Sequence, residues 1–292
     1  MMIFKGSATA LITPFTENGV DFDAYEKLLN FQIENGTDAL VVLGTTGEPA
    51  TMSAKEKDEV IKLAVKTVNG RVPVIVGSGS NSTAQAIENS VNAEKLGADA
   101  LLVVTPYYNK ATQNGLIAHY GEIAKHTGLD IICYNVPGRT GVNLLPKTFA
   151  KIAEENKNVV AIKEASGNME QIEEAIRLTF GDADVYSGDD GLTVPLIAMG
   201  GKGVISVASN VIPKYVSDMC SAALSGDFKT ASKMQLDMLP FVKALFMEVN
   251  PIPVKKMAEM LGICDRYIRL PLTEMLDENA AVLKKAYDDL MK

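Results

Sequence analysis

Lys163 closes an apolar run, Val159-Val160-Ala161-Ile162-Lys163-Glu164, and is the residue of this chain best placed for covalent chemistry. Such a lysine ordinarily snorkels to water or pairs with a carboxylate, here the adjacent Glu164. The chemical alternative is an amine whose pKa is lowered by burial and which attacks a carbonyl as a neutral nucleophile. Gly44-Thr45-Thr46-Gly47-Glu48 sets two hydroxyls and their N–H groups between glycines, suited to gripping a small carboxylate or simply to a strand-to-helix turn with a Thr cap. Tyr134, in Tyr134-Asn135-Val136-Pro137-Gly138-Arg139-Thr140, ends another apolar run, where a phenol either packs in a core or passes protons to a nearby amine. Pro137 and Gly138 fix a turn that presents Arg139, whose planar fork suits a carboxylate as well as a surface ion pair. Tyr107 and Tyr108, within Thr105-Pro106-Tyr107-Tyr108-Asn109-Lys110, are paired aromatics of the kind that form interfaces.

The elements that must hold these groups alternate. Short apolar runs read as strands near Ala8–Pro14, Ala39–Leu43, Pro73–Val76, Ala100–Thr105, Ile131–Asn135, Val159–Glu164, Val185–Ser187 and Val204–Val207. They are apolar throughout, as parallel strands covered on both faces are. Between them, Asp23 with Glu26 and Ser53 with Glu56 have capping-box spacing, and Gly36 and Gly97 stand where helices end. Gly36-Thr37-Asp38-Ala39-Leu40 recurs as Gly97-Ala98-Asp99-Ala100-Leu101, about two βα units later. Eight such units predict an α/β fold, a (β/α)8 TIM barrel over residues 1–225, and the purely helical pattern beyond Gly226 predicts a C-terminal helical appendage over 226–292. The rival is an open doubly wound sheet; its dinucleotide fingerprint fails at Gly77-Ser78-Gly79-Ser80-Asn81-Ser82, which lacks the third glycine. In a barrel, catalytic groups sit at the C-terminal ends of strands, so the amine, the phenol, the paired hydroxyls and the guanidinium gather at one mouth. Lys202, which precedes a strand, falls on the opposite face, and Lys110 lies in a solvent-facing loop.

Composition narrows the class. The chain has 292 residues, 47% hydrophobic and 22% charged, with a net charge of −8, an acidic balance that argues against nucleic-acid binding. Its longest charge-free stretch, Val72 to Ile87, is broken by polar residues and does not read as a membrane span. The N-terminal residues lack the pattern of a signal peptide. Cys133, Cys220 and Cys264 are odd in number and far apart, which predicts free thiols and a reduced cytoplasmic setting. His119 and His126 are the only histidines, too few for a zinc site or a Ser-His-Asp triad, and the acidic pair in Ser187-Gly188-Asp189-Asp190 is a poor metal site alone.

Thr13-Pro14-Phe15, Gly44–Glu48, Tyr107–Lys110, Tyr134–Thr140, Ile162–Gly167, Ser187–Asp190, Gly203–Asn210 and Asn250-Pro251-Ile252-Pro253-Val254-Lys255 occur in that order. Together they resemble the pyruvate-dependent class I aldolase and lyase superfamily, and within it the dihydrodipicolinate synthase family, over nearly the whole chain. The resemblance implies condensation of pyruvate with L-aspartate 4-semialdehyde to 4-hydroxy-tetrahydrodipicolinate, the first committed step of diaminopimelate and lysine biosynthesis. It gives Lys163 the Schiff base with pyruvate and Tyr134 the proton shuttle. Thr46 would link Tyr134 to Tyr108, lent by a neighbouring subunit of a homotetramer built as a dimer of dimers. Thr45 and Thr46 would hold the pyruvate carboxylate, Gly188 and Ile205 would line its pocket, and Arg139 would bind the carboxylate of the second substrate. No metal or organic cofactor is implied. Two other readings stand beside it: a pyruvate-releasing sugar-acid lyase such as N-acetylneuraminate lyase, and a non-catalytic barrel that binds an oxo-acid. Arg139 and the pair Thr45-Thr46 favour the synthase, since sialic-acid lyases generally lack such an Arg and usually carry Ser-Thr. Lysine-inhibited relatives use an acidic residue where Gln85 stands, and often His where Ala54 or Lys57 stands, which implies weak or absent lysine inhibition here. Tyr107 and Asn81 match that site.

Overall fold

The structure is a computed structural model and describes residues 2–292. Eight parallel strands close into a barrel: β1 (Gly6–Ala10), β2 (Ala39–Val42), β3 (Val74–Gly77), β4 (Ala100–Val104), β5 (Asp130–Asn135), β6 (Val159–Glu164), β7 (Asp184–Ser187) and β8 (Gly203–Ser206). Each pairs with its neighbour in sequence, and β8 returns to β1 through Gly6↔Gly203. This is the TIM barrel that the alternation predicts. The first strand begins earlier and stops sooner than the apolar run suggests. Past Leu11, whose N–H still donates to Val41 O, the pairing is replaced: Ile12 N–H donates to the side chain of Asn210, and Pro14 has no N–H to give.

Alternate strand residues face two hydrophobic layers. Ala8, Ala39, Ala100, Ile132, Ala161 and Ile205 belong to the interior layer, where small side chains fit. Leu40, Val42, Leu101, Cys133 and Ile162 belong to the outer layer under the helices. The pairing of β5 with β6 is irregular: Ile131 faces Val159 but Ile132 faces Ala161. Val160 is thus an extra residue, and past it Tyr134 lies in register with Lys163. Because facing reverses with every residue, Tyr134 follows Ile132 and Lys163 follows Ala161 onto the interior side.

The helices of the barrel unit behave as their caps dictate. The helix Ala54–Val68 carries the full Ser53/Glu56 capping box. The helix Phe22–Glu34 instead starts at Asp21, whose carboxylate accepts from Ala24 N–H, so the Asp23/Glu26 box does not form. Gly36 and Gly97 adopt φ of 81° and 92°, as helix ends require. Beyond Gly226 come three further helices, Phe228–Leu245, Ile252–Met260 and Asp277–Leu290, whose Phe241, Met257 and Leu283 join the outer hydrophobic layer. Glu248 accepts from Leu276 N–H just before the last of them and from Asn279 Nδ2 within it. Among the described residues no helix is long and apolar enough to cross a membrane.

Candidate active site

The C-terminal ends of the strands meet a cleft of about 1240 Å³, bordered by Thr45, Tyr107, Tyr134, Arg139, Thr140 and Asn250 and, further out, by Ala54, Lys57 and Gln85. Lys163 is 5% exposed, and its Nζ lies 4.4 Å from the centre of the Tyr134 ring. Tyr134 borders the cleft and packs on the lysine, and so joins the two. Glu164 does not neutralise Lys163. Its oxygens are occupied by Asn135, Gln171 and the N–H of Ser166.

Burial draws the Lys163 pKa down to about 8; the Arg139 guanidinium adds to that and the Asp190 carboxylate opposes it. Asp190 is itself fully buried, held by Ser206 Oγ and by the N–H groups of Val207 and Ala208. Burial raises the phenol of Tyr134 above its ordinary value, while Arg139 and the Thr45 hydroxyl pull it back. At neutral pH the lysine is therefore partly neutral and the phenol holds its proton. Gly188 has a packing reason to be glycine. A Cβ there would lie 2.6 Å from Ala165 Cβ and 3.0 Å from Lys163 Cε.

The paired threonines differ in exposure and partners. Thr45 is exposed to the cleft and is the hydroxyl beside Tyr134. Thr46 is buried and its Oγ1 accepts from Asn250 Nδ2 at 2.9 Å. Arg139 stands exposed on the short helix Pro137–Thr140 and donates from Nη2 to the carbonyl of Asn250. Gly188 and Ile205 do not border the cleft: the glycine packs against the lysine stem, and Ile205 is wholly buried in the interior layer. Tyr108 is 87% exposed, with φ of 75°, and does not border the cleft of its own chain. Asn250 carries part of the resemblance but received no role from the sequence, although it contacts two loops of the mouth; an Asn before Pro reads only as a turn. The three cysteines are free, and among the described residues no group of three or more His, Cys, Asp and Glu is arranged to hold a metal ion.

A buried amine at the end of the sixth strand, packed on a phenol that borders the cleft, defines a barrel of the Schiff-base-lysine class. Residues 3–289 match the Dihydrodipicolinate synthetase family, and the chain belongs to it. A 4-hydroxy-tetrahydrodipicolinate synthase of Alkaliphilus oremlandii is 51% identical over 99% of both chains. The solved dihydrodipicolinate synthase of Thermotoga maritima is 44% identical and superposes with a TM-score of 0.98 over 99% of both. The chloride-inhibited enzyme of Acinetobacter baumannii, solved with pyruvate, is 43% identical with a TM-score of 0.97, again over 99% of each chain.

Proposed function

We propose that the chain condenses pyruvate with L-aspartate 4-semialdehyde to give 4-hydroxy-tetrahydrodipicolinate. The observation that carries this reading is the Lys163 amine, buried and without a carboxylate on it, 4.4 Å from the ring of Tyr134. The neutral amine attacks the keto carbon of pyruvate, and water leaves to give the imine. The protonated imine withdraws electrons from the methyl carbon, so loss of a methyl proton yields a neutral enamine in place of a bare carbanion. The enamine carbon attacks the aldehyde carbon of the second substrate. The substrate's own amine then displaces Lys163 and closes the ring. No step calls for a metal or an organic cofactor.

In this reading Tyr134 carries the protons. Thr45, rather than Thr46, is its hydroxyl partner, and both threonines bind the pyruvate carboxylate; Asn250 uses only an acceptor site of Thr46, whose O–H stays available to donate. Gly188 and Ile205 shape the pocket from behind, through the lysine stem and the interior layer. Arg139, exposed at the mouth, takes the carboxylate of the aldehyde substrate. The exposure of Tyr108 supports its being lent to a neighbouring subunit, in a homotetramer arranged as a dimer of dimers. Residues 226–292 form the helical appendage that supplies Asn250 to the mouth. Free cysteines and a biosynthetic reaction support a cytoplasmic enzyme. Gln85 sets an amide at the outer cleft where lysine-inhibited relatives carry an acidic residue, which supports weak or absent inhibition. A steady-state assay with millimolar lysine is expected to leave the rate nearly unchanged; strong inhibition at micromolar lysine would refute this.

Arg139→Ala tests the substrate assignment. It is expected to raise KM for L-aspartate 4-semialdehyde by about tenfold or more, the worth of a charge-assisted pair, while deuterium exchange of the pyruvate methyl group continues. An unchanged KM would remove Arg139 from the second-substrate site.

A further inference from the structure

The reaction does not use Lys255, yet Lys255 is 1% exposed and its Nζ meets Glu48 Oε1 at 2.6 Å, across 207 residues of sequence. Glu48 ends the turn that begins after β2. Its other oxygen accepts from the backbone N–H of Arg269, and the Arg269 guanidinium holds the segment that directly follows the turn, through Thr51 O and Glu56. The turn is bracketed by two left-handed residues that are not glycine, Leu43 and Glu48, each with φ of 56°. Such conformations cost free energy and persist only where surroundings over-determine them. A buried ion pair is a poor way to gain stability, because desolvation offsets most of the attraction, but it is an exacting way to fix two groups at one distance. Between the bracketing residues lies Thr45, beside the Tyr134 phenol.

We propose that Glu48 and Lys255 are positioning residues: their buried ion pair locks the Leu43–Glu48 turn so that the Thr45 hydroxyl meets Tyr134, and the proton transfer depends on it. This rests on the reading of Tyr134 as the proton carrier. Neither side chain touches substrate; both act through Thr45.

The test compares Lys255→Met, Glu48→Gln and the double variant by three readouts: thermal midpoint, borohydride trapping of pyruvate on Lys163, and deuterium exchange of the pyruvate methyl group. The double variant leaves no unpaired buried charge, so its midpoint is expected to return toward the native value. Trapping is expected to persist, while exchange stays slower by about tenfold or more, as a small displacement of a catalytic contact produces. Exchange that recovers together with the midpoint means the pair is merely structural and overturns the proposal. Arg269→Met loosens only the part-exposed side of the anchor, so it keeps the fold and decides the matter if the double variant does not fold. A roughly threefold slower exchange supports the proposal, and native exchange overturns it. Tyr134→Phe, run alongside, separates the two levels: if it exchanges at the native rate, the proton-carrier reading itself has failed and the positioning proposal falls with it.

Discussion

Two lysines are buried in this molecule, one closing β6 and one on the helix Ile252–Met260, and each lies 4.4 Å from the centre of an aromatic ring. Burial and the ring are common to both, so neither decides what the amine does. The carboxylate decides. Burial lowers the Lys255 pKa, and Glu48, directly on its nitrogen, opposes that shift by stabilising the ammonium form. The only carboxylate acting on Lys163 is that of Asp190, with its oxygens committed to Ser206 and two N–H groups, and Arg139 acts in the opposite sense. Its neighbour in sequence, Glu164, is likewise committed to other partners. One lysine is kept as a fixed charge; the other is left able to lose its proton and react.

The contrast predicts opposite consequences for the same substitution. Lys163→Met removes the nucleophile and is expected to abolish both pyruvate trapping and methyl exchange, whereas Lys255→Met keeps trapping on Lys163. Stability should move the other way. In the folded chain the Lys163 pKa lies near 8 against an ordinary 10.5, so between those values the unfolded chain holds a proton that the folded one has shed. Stability therefore rises with pH across that window, and below pH 8 the full penalty is present, on the order of 3 kcal/mol. Lys163→Met should relieve it and raise the thermal midpoint at neutral pH by roughly 6 °C, with the gain fading as pH approaches 10.5. Lys255→Met strands Glu48 as an unpaired buried charge and should cost roughly 3–5 kcal/mol. Scanning calorimetry at pH 7 checks both signs; shifts of the same sign would break the comparison.

The place of Lys163 was legible in the sequence because strand period and strand-end placement act locally: an apolar run ending in Lys, inside a βα repeat, points to a barrel mouth. The anchor was not legible. Glu48 and Lys255 are 207 residues apart, and only the closed barrel brings Asn250, Lys255 and Arg269 onto the Gly44–Glu48 turn. The different surroundings of Thr45 and Thr46 have the same origin, since adjacent residues in a tight turn face different ways and the Asn250 that holds one of them is remote. The irregular pairing at Val160 was equally hidden. An extra residue leaves no mark in an apolar run, although it sets Tyr134 opposite Lys163.

The most direct measurement is borohydride reduction of the enzyme with pyruvate across pH 6 to 10, followed by peptide mass mapping. The account predicts a single adduct on the Val159–Glu164 peptide, at Lys163, with a trapping rate that climbs about tenfold per pH unit and levels off above pH 8. An adduct on another lysine, or a rate still climbing at pH 10, would contradict it.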